Sequence, residues 1–459
     1  MTALLAALAS AALLWAGTGL HPHWWLTWLA PIPPLLFARR APWWAAALVA
    51  FTAWFTGECN MWGYLHGLIG IPSPFVIALF AIPALIFVIA VLLWRAEILR
   101  GHVWRAALWP PLVWVAYEYI NTVFSPHSTF GSLAYSQMDF LPVVQLASVT
   151  GIWGIVFLLI AVPSAIAVLI AAWKRALAAT LAVAFIAVLG FGEWRLHSTA
   201  PATGALTVRL LATDARHADP LETVREYAAQ VRAAHADVTL LPEKLAILSE
   251  AQSTEARAIF AQAAAASGNR LIVGLDERHA GARHNDALVF APDGALVTAY
   301  DKQHFIPGLE TGYVTGDALT LLDQPSGKWG VIICKDLDFP QLSRQYARAG
   351  IGLMLAPAWD FNTDRWLHSR MAVMRGVESG FSFARCARQG VLTLSDNRGR
   401  ILLERATTPA GFVTAEGRVA VAHANTLYAR AGDWFAWLAL AALAALIFIR
   451  GGKNARLVR

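Results

Sequence analysis

The sequence predicts a bundle of membrane helices joined to one soluble α/β domain. Three observations lead there. Apolar residues make up 57% of the 459-residue chain and charged ones only 14%, whereas ordinary soluble domains carry about 25% charged residues. The mean hydropathy is +0.51. The apolar excess is also uneven: it lies before about residue 195 and again at 433–449, while 205–430 has a globular mix. The expected organisation is therefore a helix bundle over 1–195, a soluble domain over 196–430, and a final helix with its tail over 431–459.

Apolar segments recur at about 3–20, 24–38, 43–65, 73–94, 104–121, 152–173, 176–193 and 433–449. Most approach the ~20 residues that cross a hydrocarbon core, so about eight transmembrane helices are expected. The second segment is short, but Trp24, Trp25 and Trp28 with Pro31, Pro33 and Pro34 suit a helix anchored at the interface. The first lacks a basic leading region and reads as a helix rather than a signal peptide. With the N-terminus inside, the inner loops and tail hold Arg39, Arg40, Arg95, Arg100, Arg105, Lys174, Arg175, Arg450, Lys453, Arg456 and Arg459. The outer loops near 17–25, 59–71 and 122–140 hold no Lys or Arg. That asymmetry places the soluble domain on the extracytoplasmic side. Glu118, an ionisable group in an apolar helix, is either functional or near enough to the outer end to reach water.

The composition also excludes classes. The pI is about 9.4, but the basic residues are not clustered on one face with interleaved aromatics, and many sit at the ends of apolar segments, so no nucleic-acid partner is expected. Cys59, Cys334 and Cys386 are too few for a disulfide framework. The thirteen histidines show no metal-ligand spacing, so neither a metal nor another cofactor is expected.

The soluble part alternates strand and helix patterns. Strands are expected at 206–212, 237–241, 270–275, 286–291, 329–334, 351–356, 381–386 and 391–395. Helices are expected at 219–235, 254–267, 340–349 and 364–379, the last with Leu367, Met371, Met374 and Val377 as its buried stripe. Such alternation puts functional residues at strand ends.

Three segments at those ends carry chemistry: 240–243 (LLPE), 300–307 (YDKQHFIP) with Glu310 beyond it, and 331–340 (VIICKDLDFP). Each alone has a bland reading, as a solvated acid, a surface cation or a small core thiol. Together they form a unit. A thiol attacks a carbonyl only as thiolate. Glu243 is suited to take the Cys334 proton and return it to a leaving group. Lys302 favours thiolate and can stabilise an oxyanion, with the Lys335 backbone N–H as a second donor. Glu310 is placed to orient Lys302 or a substrate amine. The Lys335 side chain reads as a further cation beside the nucleophile or as a solvated chain.

At these residues the chain resembles the nitrilase (carbon–nitrogen hydrolase) superfamily, whose Glu-Lys-Cys triad falls on Glu243, Lys302 and Cys334, and whose second glutamate falls on Glu310. The likeness continues through 357–359 (PAW), 371–380 (MAVMRGVESG), which contributes Glu378, and 395–401 (SDNRGRI). It implies an α-β-β-α sandwich, with Glu310, Lys335, Asp336 and Glu378 supporting the triad. The membrane half resembles the apolipoprotein N-acyltransferase branch at 29–37 (LAPIPPLLF), 108–114 (LWPPLVW), 131–137 (GSLAYSQ) and 145–154 (QLASVTGIWG). That branch usually has an aromatic residue and a glutamate after the nucleophile; here they are Lys335 and Asp336. The resemblance implies a phospholipid acyl donor, a Cys334 thioester, and the amine of a lipoprotein's N-terminal cysteine as acceptor, at the bacterial inner membrane. The alternative is a membrane-tethered amidase that hydrolyses a C–N bond.

Overall fold

The computed structural model describes residues 2–198, 202–215 and 217–455. Arg456 and Arg459, used above for topology, lie outside them. The chain divides into two compact units, Met1–His197 with Ala431–Arg459, and Ser198–Arg430.

The first unit is helical. Among the described residues, three helices are long and apolar enough to cross a membrane: Ser73–Leu99, Ile152–Ala171 and Arg175–His197. Ala3–Gly17, Leu141–Thr150 and Trp434–Arg450 are apolar but shorter. The expected helix at 24–38 is two pieces, Trp24–Thr27 and Ile32–Ala38. Pro31, Pro33 and Pro34 explain the break, because proline lacks the N–H that continues a helix. The segment expected at 43–65 is α-helical only over Trp43–Glu58. Glu118 does not reach water. It is buried and accepts hydrogen bonds from Trp114 Nε1 (2.8 Å), Ser132 Oγ (2.6 Å) and Leu133 N (3.3 Å), tying the 132–137 turn to helix Val103–Phe124.

The second unit holds two six-stranded sheets. In chain order the strands are β1 (Ala202–Ala212), β2 (Val238–Leu240), β3 (Arg270–His279), β4 (Ala282–Phe290), β5 (Leu296–Asp301), β6 (Thr320–Gln324), β7 (Gly327–Val331), β8 (Leu353–Trp359), β9 (Ser382–Arg388), β10 (Val391–Ser395), β11 (Ile401–Ala406) and β12 (Val413–Ala422). The sheet orders are β12-β1-β2-β3-β4-β5 and β11-β10-β9-β8-β7-β6. The central strands β1, β2 and β3, and likewise β7, β8 and β9, run parallel. Parallel strands are covered on both faces and read as continuous apolar runs. Leu210, Leu240 and Ile272 accordingly enter the core shared by the two sheets, while their neighbours Leu211, Leu241 and Val273 pack with Val224, Tyr227 and Phe260 of helices Pro220–Arg232 and Glu250–Ser267. On the second sheet, Leu367, Met371, Met374 and Val377 of helix Arg365–Ser379 are buried as the stripe predicted. The result is the nitrilase-type α/β arrangement of two sheets with flanking helices.

This packing brings the ends of β2, β5, β7 and β8 together. Glu243 N donates to Ala358 O of β8 across the two sheets (3.2 Å). Gly274 on β3 permits the approach: a Cβ there would lie 2.6 Å from Glu243 Cα and 2.5 Å from Pro242 O. Gly274→Ala must therefore push the Glu243 segment away, at a cost of about 1–3 kcal/mol in overpacking. A lowered thermal midpoint together with lost activity is the expected outcome, read from unfolding curves and turnover of the same preparation.

Candidate active site

Glu243 follows β2, Lys302 follows β5 and Cys334 follows β7. The Lys302 and Glu243 segments are pinned where they leave their sheet. Lys302 N donates to Asn285 O (2.9 Å), and Leu241 N to Ile272 O (2.9 Å). Cys334 opens a short 3-10 turn, Cys334–Asp338, with φ of +41°. That left-handed conformation costs a residue with a Cβ about 1–3 kcal/mol and persists only where the surroundings impose it, as functional sites do.

Two of the three expected side chains, Lys302 and Glu243, meet directly. Lys302 Nζ donates to Glu243 Oε1 at 2.8 Å and to both Glu310 oxygens at 3.0 and 2.9 Å. Asn285 Nδ2 bridges the same two acids, at 2.7 Å to Glu243 and 3.0 Å to Glu310. Glu310 also accepts from Ile306 N (2.8 Å) and pairs with Lys244, whose Nζ lies 4.6 Å from the Tyr313 ring centroid. The Cys334 thiol donates to Trp359 O at 3.5 Å and interacts electrostatically with both Glu243 and Lys302.

Electrostatics then sets protonation. Burial pushes the Cys334 thiol well above its usual value, and Glu243 pushes it further, against Lys302 and Arg385. The resting sulfur is a thiol that needs a base. Burial disfavours the Lys302 charge, but Glu243 and Glu310 outweigh it and hold the ammonium above its ordinary range. Burial would raise Glu310, yet Lys302 and Lys244 bring it down to about 2. The fully buried ammonium thus stays charged through the working pH range.

Asp336 joins the nucleophile turn to the Lys302 loop. Its carboxylate accepts from Tyr300 OH (2.9 Å), Gln303 N (3.2 Å), His304 N (2.7 Å) and His304 Nδ1 (2.8 Å). The Lys335 side chain is not solvated: it is 5% exposed and its Nζ pairs with Asp338 at 3.1 Å. Glu378 is tied to Arg375 at 3.0 Å within helix Arg365–Ser379, an ion pair buried on both sides. Asn285, Lys244 and Arg385 belong to the site region without having been expected; they lie in strand or loop patterns that read as ordinary. Among the described residues, the grouping with metal-ligand character is Glu277, His279 and Asp286, with ligand atoms within 4.8 Å. Arg257 already occupies Glu277, so a protein cation fills that place.

The two-sheet domain is of the nitrilase superfamily type, and the two parts of the chain match two family models. Residues 208–423 match the family model for carbon-nitrogen hydrolase, and residues 10–165 match that for the apolipoprotein N-acyltransferase N-terminal domain. The chain is similar to apolipoprotein N-acyltransferase of Geobacter metallireducens, 28% identical over 96% of this chain and 93% of the relative. The corresponding protein of Bradyrhizobium diazoefficiens is 27% identical over 71% and 69%. Among solved structures, an amidase from Nesterenkonia sp. is 20% identical, with a TM-score of 0.43 over 49% of this chain and 94% of that one.

The Glu310 cluster has a pH signature. Its folded value lies below the ordinary 4.5, at about 2. Stability from its ionisation is therefore present above about pH 4.5 and lost as pH falls toward 2. Glu310→Gln is expected to flatten that slope while costing about 3–5 kcal/mol at neutral pH, because Lys302 and Lys244 lose a buried partner. Thermal midpoints of both proteins across pH 2–7 check this.

Proposed function

We propose that this protein is a bacterial membrane acyltransferase that moves an acyl chain from phospholipid, through a Cys334 thioester, to the N-terminal cysteine amine of lipoproteins. The observation that carries the reading is the union in one chain of an apolipoprotein N-acyltransferase-type membrane half with a buried Glu243–Lys302–Cys334 set.

Glu243 takes the thiol proton and the sulfur attacks the ester carbonyl carbon. Lys302 and the Lys335 backbone N–H stabilise the oxyanion. The C–O bond breaks, Glu243 protonates the departing lysophospholipid oxygen, and the thioester remains. In the second half, Glu243 takes a proton from the attacking amine. The C–S bond breaks, the amide forms, and the proton returns to sulfur. Leu309 and Val314, 52% and 41% exposed in the loop that carries Glu310, offer apolar surface suited to a lipid donor.

Eight membrane spans, with the catalytic domain on the extracytoplasmic face of the inner membrane, complete the proposal. The three long apolar helices and the inward bias of Lys and Arg support it.

The test supplies the purified full chain in lipid nanodiscs with acyl-labelled phospholipid and a diacylglyceryl-cysteine lipopeptide. Label is expected on the peptide amine, with Cys334→Ala inactive and Glu243→Gln and Lys302→Met slowed by about 10²–10⁴-fold. Full transfer by Cys334→Ala, or ammonia release from a small amide without any lipid labelling, contradicts the reading.

A further inference from the structure

The steps above leave unused a buried ion pair beside the nucleophile. Arg385 of β9 and Asp360 just beyond β8 are each 1% exposed. They form a forked pair, Nη1 to Oδ2 at 2.9 Å and Nη2 to Oδ1 at 2.5 Å. Parallel pairing of β8 with β9 sets this up, Ala356 lying opposite Arg385 and Trp359 opposite Arg388. The residue before Asp360 is Trp359, whose carbonyl receives the Cys334 thiol. Arg385 and Asp360 both interact electrostatically with that sulfur. Arg385 Nε is buried with no hydrogen-bond acceptor among the described residues. A buried ion pair is a poor source of stability compared with apolar packing, so its position calls for another explanation.

We propose that Arg385, fixed by Asp360, is a positioning residue that supplies a second stationary positive charge to the Cys334 thiolate, on a strand separate from Lys302. This rests on Cys334 being the nucleophile. When the thiol proton passes to Glu243, that carboxylate becomes neutral and ceases to oppose negative sulfur. Two cations then remain, each backed by an acid: Lys302 by Glu310, and Arg385 by Asp360. Lys302 must also serve the oxyanion. Arg385 has no such second duty, so its charge stays with the sulfur on attack and again when thiolate leaves the thioester.

The charged groups around the sulfur are Glu243, Lys302, Arg385 and Asp360. Behind them, His368 pairs with Asp364 at 3.1 Å and Lys335 with Asp338 at 3.1 Å. Burial would lower His368, but Asp364 and then Asp360 and Asp338 raise it to about 9.

The experiment measures iodoacetamide labelling of Cys334 in the full-length protein at pH 6–8.5, quantified on the Cys334 peptide. In that range the rate follows the thiolate fraction, so one unit of thiol shift reads as about tenfold in rate. Arg385→Met is expected to slow labelling by about tenfold or more at every pH, and Arg385→Lys to keep it within about threefold. Asp360→Asn, which removes the negative partner and keeps the cation, is expected to speed it. A purely structural pair predicts that Arg385→Met and Asp360→Asn, which both break the bridge, move the rate in the same direction. That result, or no change in either variant, overturns the proposal, with thermal midpoints and Arg385→Lys as controls for folding. Labelling needs no turnover. Acyl transfer by Cys334→Ala would therefore overturn the nucleophile assignment separately.

Discussion

One buried ammonium organises this catalytic domain. Lys302 Nζ sits between two buried carboxylates, Glu243 and Glu310, at 2.8–3.0 Å. A lone charge there would be strongly destabilising, and removing either partner leaves the others uncompensated. The loop after β2 must therefore reach the loop after β5. Gly274 makes room for that approach and Asn285 bridges the two acids. Lys244 adds a second cation to Glu310, which leaves Glu243 as the acid shared by Lys302, Asn285 and the thiol's field.

The same arrangement explains how a deeply buried cysteine can react. Burial makes thiolate costly, and Cys334 is held in a strained backbone conformation next to an acid that also disfavours it. The opposition from the acid is removed when the proton moves to Glu243, because the acid loses its charge as the sulfur gains one. In the proposed mechanism the site keeps a protected thiol at rest and a stabilised thiolate only in concert with proton transfer. Asp336 maintains the geometry by binding the loop after Lys302 to the turn that begins at Cys334. Hydrolysis and acyl transfer share these groups. They differ in whether water or an amine reaches the thioester.

Much of this was legible in the sequence where the physics is local. Apolar runs marked β1, β2, β3, β7, β8 and β9 because parallel strands are buried on both faces, and marked β4 and β10 because these antiparallel strands are also largely buried. Glu243 and Cys334 could be read because each lies at the end of such a run, whereas Lys302, which follows β5, could be read only in combination with them. Strands β5, β6, β11 and β12 were not legible. Leu296 and Val297 are exposed, β11 is largely exposed, and β12 is set by distant pairing with β1 rather than by its own pattern. Arg385 escaped notice for a related reason: a single arginine in a strand gives no sign that Asp360 awaits it across the sheet. Lys335 illustrates the converse. Its neighbour in the sequence is the nucleophile, but its fork of the turn leads to Asp338. In the membrane half, composition located the apolar segments, while the three prolines near residue 32 decided where helix gave way.

The most direct measurement of the central claim is the mass of tryptic peptides from the full-length protein after incubation with phospholipid and no acceptor amine. One acyl chain is expected on the peptide containing Cys334, removable by neutral hydroxylamine, with Cys59 and Cys386 unmodified. An unmodified Cys334 peptide, or acylation confined to another residue, would contradict it.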